Sequence, residues 1–184
     1  MDKQHATELI AGFSALGVAP ALLSALERMQ HVTPTPIQAQ TIPIAISGKD
    51  VVGIAQTGTG KTIAFGIPMI QRLATVQGIG LVVLPTRELA LQVDEVLRRL
   101  ADRINLRTVV LIGGTSIEPQ KRALQRQPHI IVATPGRLID HLEQKTVRLD
   151  RVRIVVLDEA DHMFDMGFAP QIKRIMAALP HERQ

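Results

Sequence analysis

The segment Ala55-Gln-Thr-Gly-Thr-Gly-Lys-Thr62 constrains this chain more than any other, because its chemistry works in only one local architecture. Small residues leave backbone N–H groups free to converge on phosphate oxygens, Lys61 supplies a point charge, and the Thr62 hydroxyl can ligate Mg²⁺. The apolar run Asp50-Val-Val-Gly-Ile-Ala55 before the loop reads as a buried strand over Val51 to Ile54. Thr62-Ile-Ala-Phe-Gly-Ile-Pro-Met-Ile-Gln-Arg-Leu73 after it reads as a helix. A phosphate bound between them lies at a helix N-terminus, where unpaired N–H groups and the dipole favour negative charge. Ala55 stands where such loops usually carry their first glycine, a change small enough to keep the curvature.

A second motif lies far downstream. Ile154 to Leu157 are four consecutive apolar residues, the mark of a strand buried on both faces and therefore parallel. Asp158 and Glu159 emerge together at its carboxyl end. One carboxylate can hold a metal's water shell, and its neighbour can orient or deprotonate an attacking water. Alone, Asp158-Glu-Ala-Asp161 also suits a solvated first helical turn, where acids are favoured. Following a phosphate loop, it completes the set needed to grip ATP with Mg²⁺.

Composition bounds the rest. With 184 residues of which 46% are hydrophobic, one domain with a substantial core is expected. There is no cysteine, so disulfides and thiolate metal sites are excluded. Met1-Asp-Lys-Gln-His5 lacks the basic and apolar regions of a signal peptide, and no apolar stretch of about 18 residues exists to span a membrane. The expectation is a cytoplasmic protein with no membrane association. The net charge of +4 suits a polyanionic partner.

Helices come first along the chain. Pro20 opens one through Ala21 to Met29, and Pro36 opens another through Gln40 before Pro43 disturbs it. Strand and helix then alternate. The strands are Val51 to Ile54, Leu81 to Leu84, Thr108 to Ile112, Ile130 to Ala133 and Ile154 to Leu157; helices such as Glu88 to Leu100 and Ile172 to Leu179 lie between or after them. This pattern predicts an α/β fold, with a mostly parallel sheet covered by helices on both faces. Met163, Phe164, Met166 and Phe168 read as packing beneath the last helix, and Arg98-Arg99 and Lys173-Arg174 as solvated faces.

Ligands on open parallel sheets bind beyond the carboxyl ends of the strands, so the segments that follow the strands should share one rim. They are the phosphate loop, Pro85-Thr-Arg-Glu-Leu-Ala90, Gly113-Gly114, Thr134-Pro-Gly-Arg137 and Asp158-Glu159. Thr134 reads as an N-cap with Pro135 at the first helical position, and Gly136 permits close backbone approach. Arg87 and Arg137 offer guanidinium forks for phosphates. Singly, Gly-Gly and Thr-Pro-Gly-Arg are ordinary turn punctuation. Gathered beside an ATP loop, they form a candidate track for a polyanion backbone.

In this order the motifs resemble the DEAD-box family of ATP-dependent RNA helicases, specifically its first RecA-like domain. The match runs from Phe13 and Pro34-Thr-Pro-Ile-Gln38 to Asp161. The resemblance implies a P-loop NTPase domain over residues 1–184, with lead-in and adenine-recognition helices over 1–48 and the core over 49–184. It implies that Gln38 reads the adenine edge, that Phe13 supports that corner, and that Ala55, Gln56, Thr57, Gly58, Thr59, Gly60, Lys61 and Thr62 hold the nucleotide. It further implies that Lys61, Asp158 and Glu159 are catalytic and that Thr62 and Asp158 hold Mg²⁺, partly through water. Pro85, Thr86, Arg87, Gly113, Gly114, Thr134, Pro135, Gly136 and Arg137 would grip RNA sugar-phosphate without reading sequence. Asp161 would couple to a hydroxyl-bearing Ser-Ala-Thr motif.

Two departures stand out. Gln30 and His31 replace the family's usual glycine and aromatic; an imidazole can still stack on adenine over less area. The chain also stops at His181-Glu-Arg-Gln184, where the family continues into a strand ending in Ser-Ala-Thr and a second RecA-like domain. In the family that strand lies between the phosphate-loop strand and the Asp158 strand, so the central sheet is expected to be interrupted here. Alone, the chain is expected to bind nucleotide weakly and to lack unwinding activity. Another motor of the same superfamily, or a non-catalytic interaction module, are the alternative readings.

Overall fold

Apolar runs rich in β-branched residues pair side by side in a fully parallel sheet. The computed structural model describes residues 12–56 and 58–184, which divide into two compact units. One contains residues up to Val76 together with Val96–Leu106, and the other contains Gln77–Glu95 with Arg107–Gln184.

The second unit holds the sheet. Its strands are β1 (Ile79–Val83), β2 (Thr108–Leu111), β3 (Ile130–Ala133) and β4 (Val152–Leu157), in the order β2-β3-β1-β4. Leu111 pairs with Ala133, Ala133 with Val83, and Val83 with Leu157, so the four carboxyl ends fall in one row. Leu81, Val83, Leu111, Ile131 and Ala133 face a core completed by Leu138, Met163, Ile172 and Ile175. Val82, Ile130 and Val132, on the opposite face, are fully buried too, as a doubly covered parallel sheet requires. The helices here are α5 (Glu118–Gln125), α6 (Pro135–Glu143), α7 (Ala160–Asp165) and α8 (Ala169–Ala177).

The first unit is helical. It contains α1 (Pro20–Arg28), α2 (Pro36–Ile46) and α3 (Lys61–Leu73); helix α4 (Arg87–Ala101) contributes its residues from Val96 onward here and its earlier ones to the sheet unit. Gln71 on α3 fixes the turn ahead of α1, accepting from Ala19 N–H at 2.9 Å and donating to Gly17 O at 2.9 Å.

Four expectations need correction. Residues 51–54 form no strand: Val52 is 93% and Ile54 is 94% exposed. A strand exists only where neighbours pair its backbone, and no described residue supplies a ladder to this segment. Helix α2 does not stop before Pro43 but runs on to Ile46; one missing N–H is tolerable when the remaining bonds of the turn hold. Strand β4 is not buried throughout, because it lies at the sheet edge, and Val155, Val156 and Leu157 are only half-buried. Finally, Met163 is buried and Phe168 packs on the core, whereas Phe164 and Met166 are 54% and 46% exposed. The pitch of α7 and its following turn directs Met163 and Phe168 inward and Phe164 and Met166 outward.

The sheet shows a further detail at its β4 edge. Gln184 N–H donates to Arg153 O at 2.9 Å, and Gln184 O accepts from Val155 N–H at 2.9 Å. That is the bonding of a parallel bridge.

Helix α1 ends in a left-handed cap. Gln30 has φ 59°; its N–H donates to Glu27 O and that of His31 to Leu26 O, both at 2.9 Å. These two bonds define a Schellman motif, whose left-handed position usually holds glycine. Gln30→Gly is therefore expected to stabilise the fold by about 0.5–1 kcal/mol, the Cβ strain relieved less the added chain entropy. A denaturant titration with an unchanged or lowered midpoint would contradict this.

Three histidines are held below their ordinary pKa. Partial loss of solvent is the main cause for each, even at the exposed His31; Arg137 reinforces it at His141 against a smaller opposing effect of Asp140, Arg107 at His129, and Arg99 at His31. Each is harder to protonate in the fold than in the unfolded chain, where it titrates near about 6.5. Below that pH the unfolded chain binds more protons, so stability should decline as pH falls from about 7 through 6.5 toward the folded values. The slope should flatten in His141→Gln; equal slopes in thermal melts of the two proteins would refute the assignment.

Candidate nucleotide and polyanion sites

Sharp turns at glycine shape the phosphate loop. Gly58 and Gly60 have φ of 82° and 89°, a region open to glycine at little cost, and Thr59 Oγ1 donates to Gln56 O at 2.7 Å. Gly60 is the N-cap of α3, whose first residues are Lys61 and Thr62. The first-turn N–H groups of a helix have no intrahelical acceptor, and here Lys61 is the first residue of that turn. The loop, Lys61 and Thr62 thus combine as the spacing predicted. Thr57 lies outside the described residues.

Gln38 ties the start of α2 to the glycine loop. It is 2% exposed; its Oε1 accepts from Thr35 N–H at 2.9 Å, and its Nε2 donates to Gly60 O at 3.1 Å. The two partners fix the amide orientation, since an N–H must face oxygen and a carbonyl must face nitrogen. A Cβ on Gly60 would overlap this amide, so the loop and the start of α2 approach closely because residue 60 has no side chain. One N–H and one acceptor lone pair of Gln38 remain uncommitted, enough for a purine edge. Phe13 is 1% exposed and belongs to the core, while His31 is exposed beyond the α1 cap.

At the other unit's rim, Asp158 continues the pairing of β4, its N–H donating to Val83 O at 3.0 Å. Its Oδ1 accepts from Glu159 N–H at 3.2 Å. Glu159 has φ 54° and ψ 48°, a left-handed conformation uncommon outside glycine and found where strain serves a site. Glu159 Oε2 lies 3.4 Å from His162 Nδ1. Asp161 is exposed one residue into α7.

The predicted polyanion residues converge. Arg87 donates to Gly113 O at 3.2 Å, and its guanidinium occupies the space where a Cβ of Gly114 would be. Arg137 donates to Thr115 O at 3.0 Å, and its Nε lies 3.4 Å from Asp140 Oδ2. The Gly113–Thr115 loop is therefore held by guanidinium groups from α4 and α6. Thr134 and Pro135 take the N-cap and first helical positions of α6 as expected, although the Thr134 side chain makes no capping bond. Among the described residues, a Cβ at Gly113 or Gly136 would meet no atom within 4 Å beyond its own chain neighbourhood, so the backbone is approachable there. Pro85 and Thr86 precede α4, and Thr86 Oγ1 accepts from Leu89 N–H at 3.3 Å.

Sequence reasoning missed His162, Gln120 and His141. His162 is three residues after Glu159, a spacing that brings side chains together at a helix start. Gln120 and His141 gave no comparable signal, because the contact that joins them spans 21 residues and exists only in the folded chain. Replacing Gln38 by Leu keeps its volume but strands Thr35 N–H and Gly60 O, and is expected to cost about 1–3 kcal/mol in urea unfolding. Wild-type stability in that variant would mean that neither group depends on the amide.

The DEAD/DEAH box helicase family matches residues 35–184. DEAD-box ATP-dependent RNA helicase CshA of Geobacillus kaustophilus is 50% identical over 176 residues, covering 94% of this chain and 37% of that protein. ATP-dependent rRNA helicase RRP3 of Debaryomyces hansenii is 47% identical over 174 residues, covering 93% and 36%. A solved structure, a hypothetical ATP-dependent RNA helicase from Sulfolobus tokodaii, superposes with a TM-score of 0.82 at 38% identity over 89% of this chain and 47% of that one. The chain thus spans little more than a third of the curated relatives it matches. A phosphate loop leading α3, an Asp-Glu pair ending β4 and a family match through both together lead to one conclusion: this chain belongs to the DEAD/DEAH box helicase family.

Proposed function

We propose that the chain is the ATP- and RNA-binding N-terminal domain of an RNA helicase that couples ATP hydrolysis to local separation of RNA strands. The observation that carries this reading is the in-register row of strand ends, from which Arg87, Gly113, Gly114, Arg137 and Asp158 all emerge. Backbone groups and guanidinium forks there suit sugar-phosphate, and no tryptophan or tyrosine exists in the sequence to stack on bases. The names of the relatives, which specify RNA and ATP, agree with this chemistry.

In this reading the loop N–H groups and Lys61 bind the phosphates, and Gln38 reads adenine with the capacity left after its bonds to Thr35 and Gly60. Thr62 in the helical unit and Asp158 in the sheet unit each offer an oxygen donor suited to Mg²⁺, an ion that takes few protein ligands beside phosphate and water; when bound it neutralises charge on the transferred phosphoryl group. Glu159 orients the attacking water and accepts its proton. Arg87 and Arg137 bind RNA phosphates, with Pro85, Thr86, Thr134, Pro135 and Gly136 shaping the same track. Arginines from a second RecA-like domain would supply transition-state charge worth about 10³–10⁵ in rate, so the chain alone turns over little ATP. Work in the cytoplasm, without a membrane, completes the proposal.

Calorimetric titration with ADP, ATP and GTP in Mg²⁺ tests it. Lys61→Ala should weaken all three by at least about tenfold, whereas Gln38→Ala should weaken the adenine nucleotides more than GTP. Binding of GTP equal to ATP in the wild-type chain would overturn the adenine assignment, and a folded chain that binds none would overturn the nucleotide site.

A further inference from the structure

A buried polar chain lies behind the Gly113–Thr115 loop. Gln120 on α5 is 8% exposed and His141 on α6 is fully buried. Gln120 Nε2 donates to Ile112 O at 3.0 Å and to Thr115 Oγ1 at 3.0 Å, the two sides of the glycine pair. Its Oε1 faces His141 Nε2 at 3.1 Å, and His141 Nδ1 lies 2.7 Å from Thr146 Oγ1.

The proton positions follow from these partners. A carbonyl can only accept, so Ile112 O fixes the Gln120 amide with its nitrogen toward the loop and its oxygen toward the imidazole. His141 Nε2 must then carry a hydrogen and donate, leaving Nδ1 of the neutral ring to accept from the Thr146 hydroxyl at 2.7 Å; the other acceptor within that hydroxyl's reach, His141 O at 3.1 Å, already takes the Thr146 N–H at 2.9 Å. Each of these buried groups thereby has a partner, the condition under which a polar network rigidifies its surroundings.

His141 is one helical turn beyond Arg137, so both project from the same side of α6. Arg137 holds Thr115 O directly, while His141 acts on Thr115 and Ile112 through Gln120. We propose that Gln120 and His141 are positioning residues that fasten the Gly113–Thr115 loop to the last turn of α6, the helix whose first turn carries Arg137, so that the two RNA-gripping segments present phosphate donors at one fixed spacing. The proposal rests on the RNA reading above. Apolar residues of equal size would fill the same space but could not specify where the loop carbonyls point.

The test is ATP hydrolysis by the protein at its full length, titrated with a single-stranded RNA oligonucleotide. Gln120→Leu and His141→Leu should each raise the RNA concentration for half-maximal stimulation by about tenfold, with the maximal rate within about twofold. The double variant should be no worse than either single one, because the two residues act as one chain. His141→Asn, which keeps an N–H donor, should recover part of the loss. Thr115→Val, at an exposed position that folding tolerates, should shift the titration in the same direction and carries the test if the leucine variants do not fold. Unchanged half-saturation in folded variants, or multiplying effects in the double variant, would overturn the coupling. Arg137→Ala separates the two levels: if it weakens RNA while the relay variants do not, the relay alone fails; if it too has no effect, the RNA reading fails and the relay with it.

Discussion

Parallel pairing in a single register is the constraint on which the rim depends. Parallel strands run the same way, so every connection must return across the sheet and every carboxyl end reaches the same edge. Because Leu111, Ala133, Val83 and Leu157 share one row, the residues that follow them begin at the same height. A slip of one residue would send each side chain to the opposite face. The burial of Leu81, Val83, Ile131 and Ala133 on one face, and of Val82 and Val132 on the other, makes such a slip expensive on both sides at once.

Left-handed backbone occurs in both candidate phosphate-facing segments, as it does at four non-glycine positions elsewhere, Gln30, Asn105, Gln127 and Lys145. Gly58 and Gly60 turn the phosphate loop through left-handed conformations without penalty, while Glu159 adopts one as a non-glycine residue directly after Asp158. Hydrogen bonds over-determine both places. Gln38 clasps Gly60 O, and the Asp158 carboxylate takes the Glu159 N–H. Rigid backbone geometry of this kind suits phosphoryl transfer, where positioning and electrostatics carry most of the catalysis.

Much of the fold was legible. The run Ile130 to Ala133 coincided with β3, and α3 and α6 began within a residue of their expected starts, because a glycine loop and a Thr-Pro pair are local signals with local causes. The candidate phosphate loop and the arginine-bearing turns were legible for the same reason. The misread elements share a different origin. Val51 to Ile54 have the composition of a strand, yet a strand is a relation between segments, and nothing within the segment reports whether a partner is present. Val155 to Leu157 read as fully buried because their composition describes a central strand, whereas β4 is an edge.

By itself, then, the sequence determined which residues could bind phosphate, where helices start, and that strands and helices alternate, since each depends on atoms a few residues apart. Only the tertiary structure decided the strand order, the half-exposed edge of β4 and the exposure of Ile54. It also decided that Gln38 clasps Gly60 and that Gln120 joins His141 to the glycine turn. Those outcomes arise from pairings between residues distant in the chain, and a hydrogen bond is specified by where both partners are held, not by the identity of either.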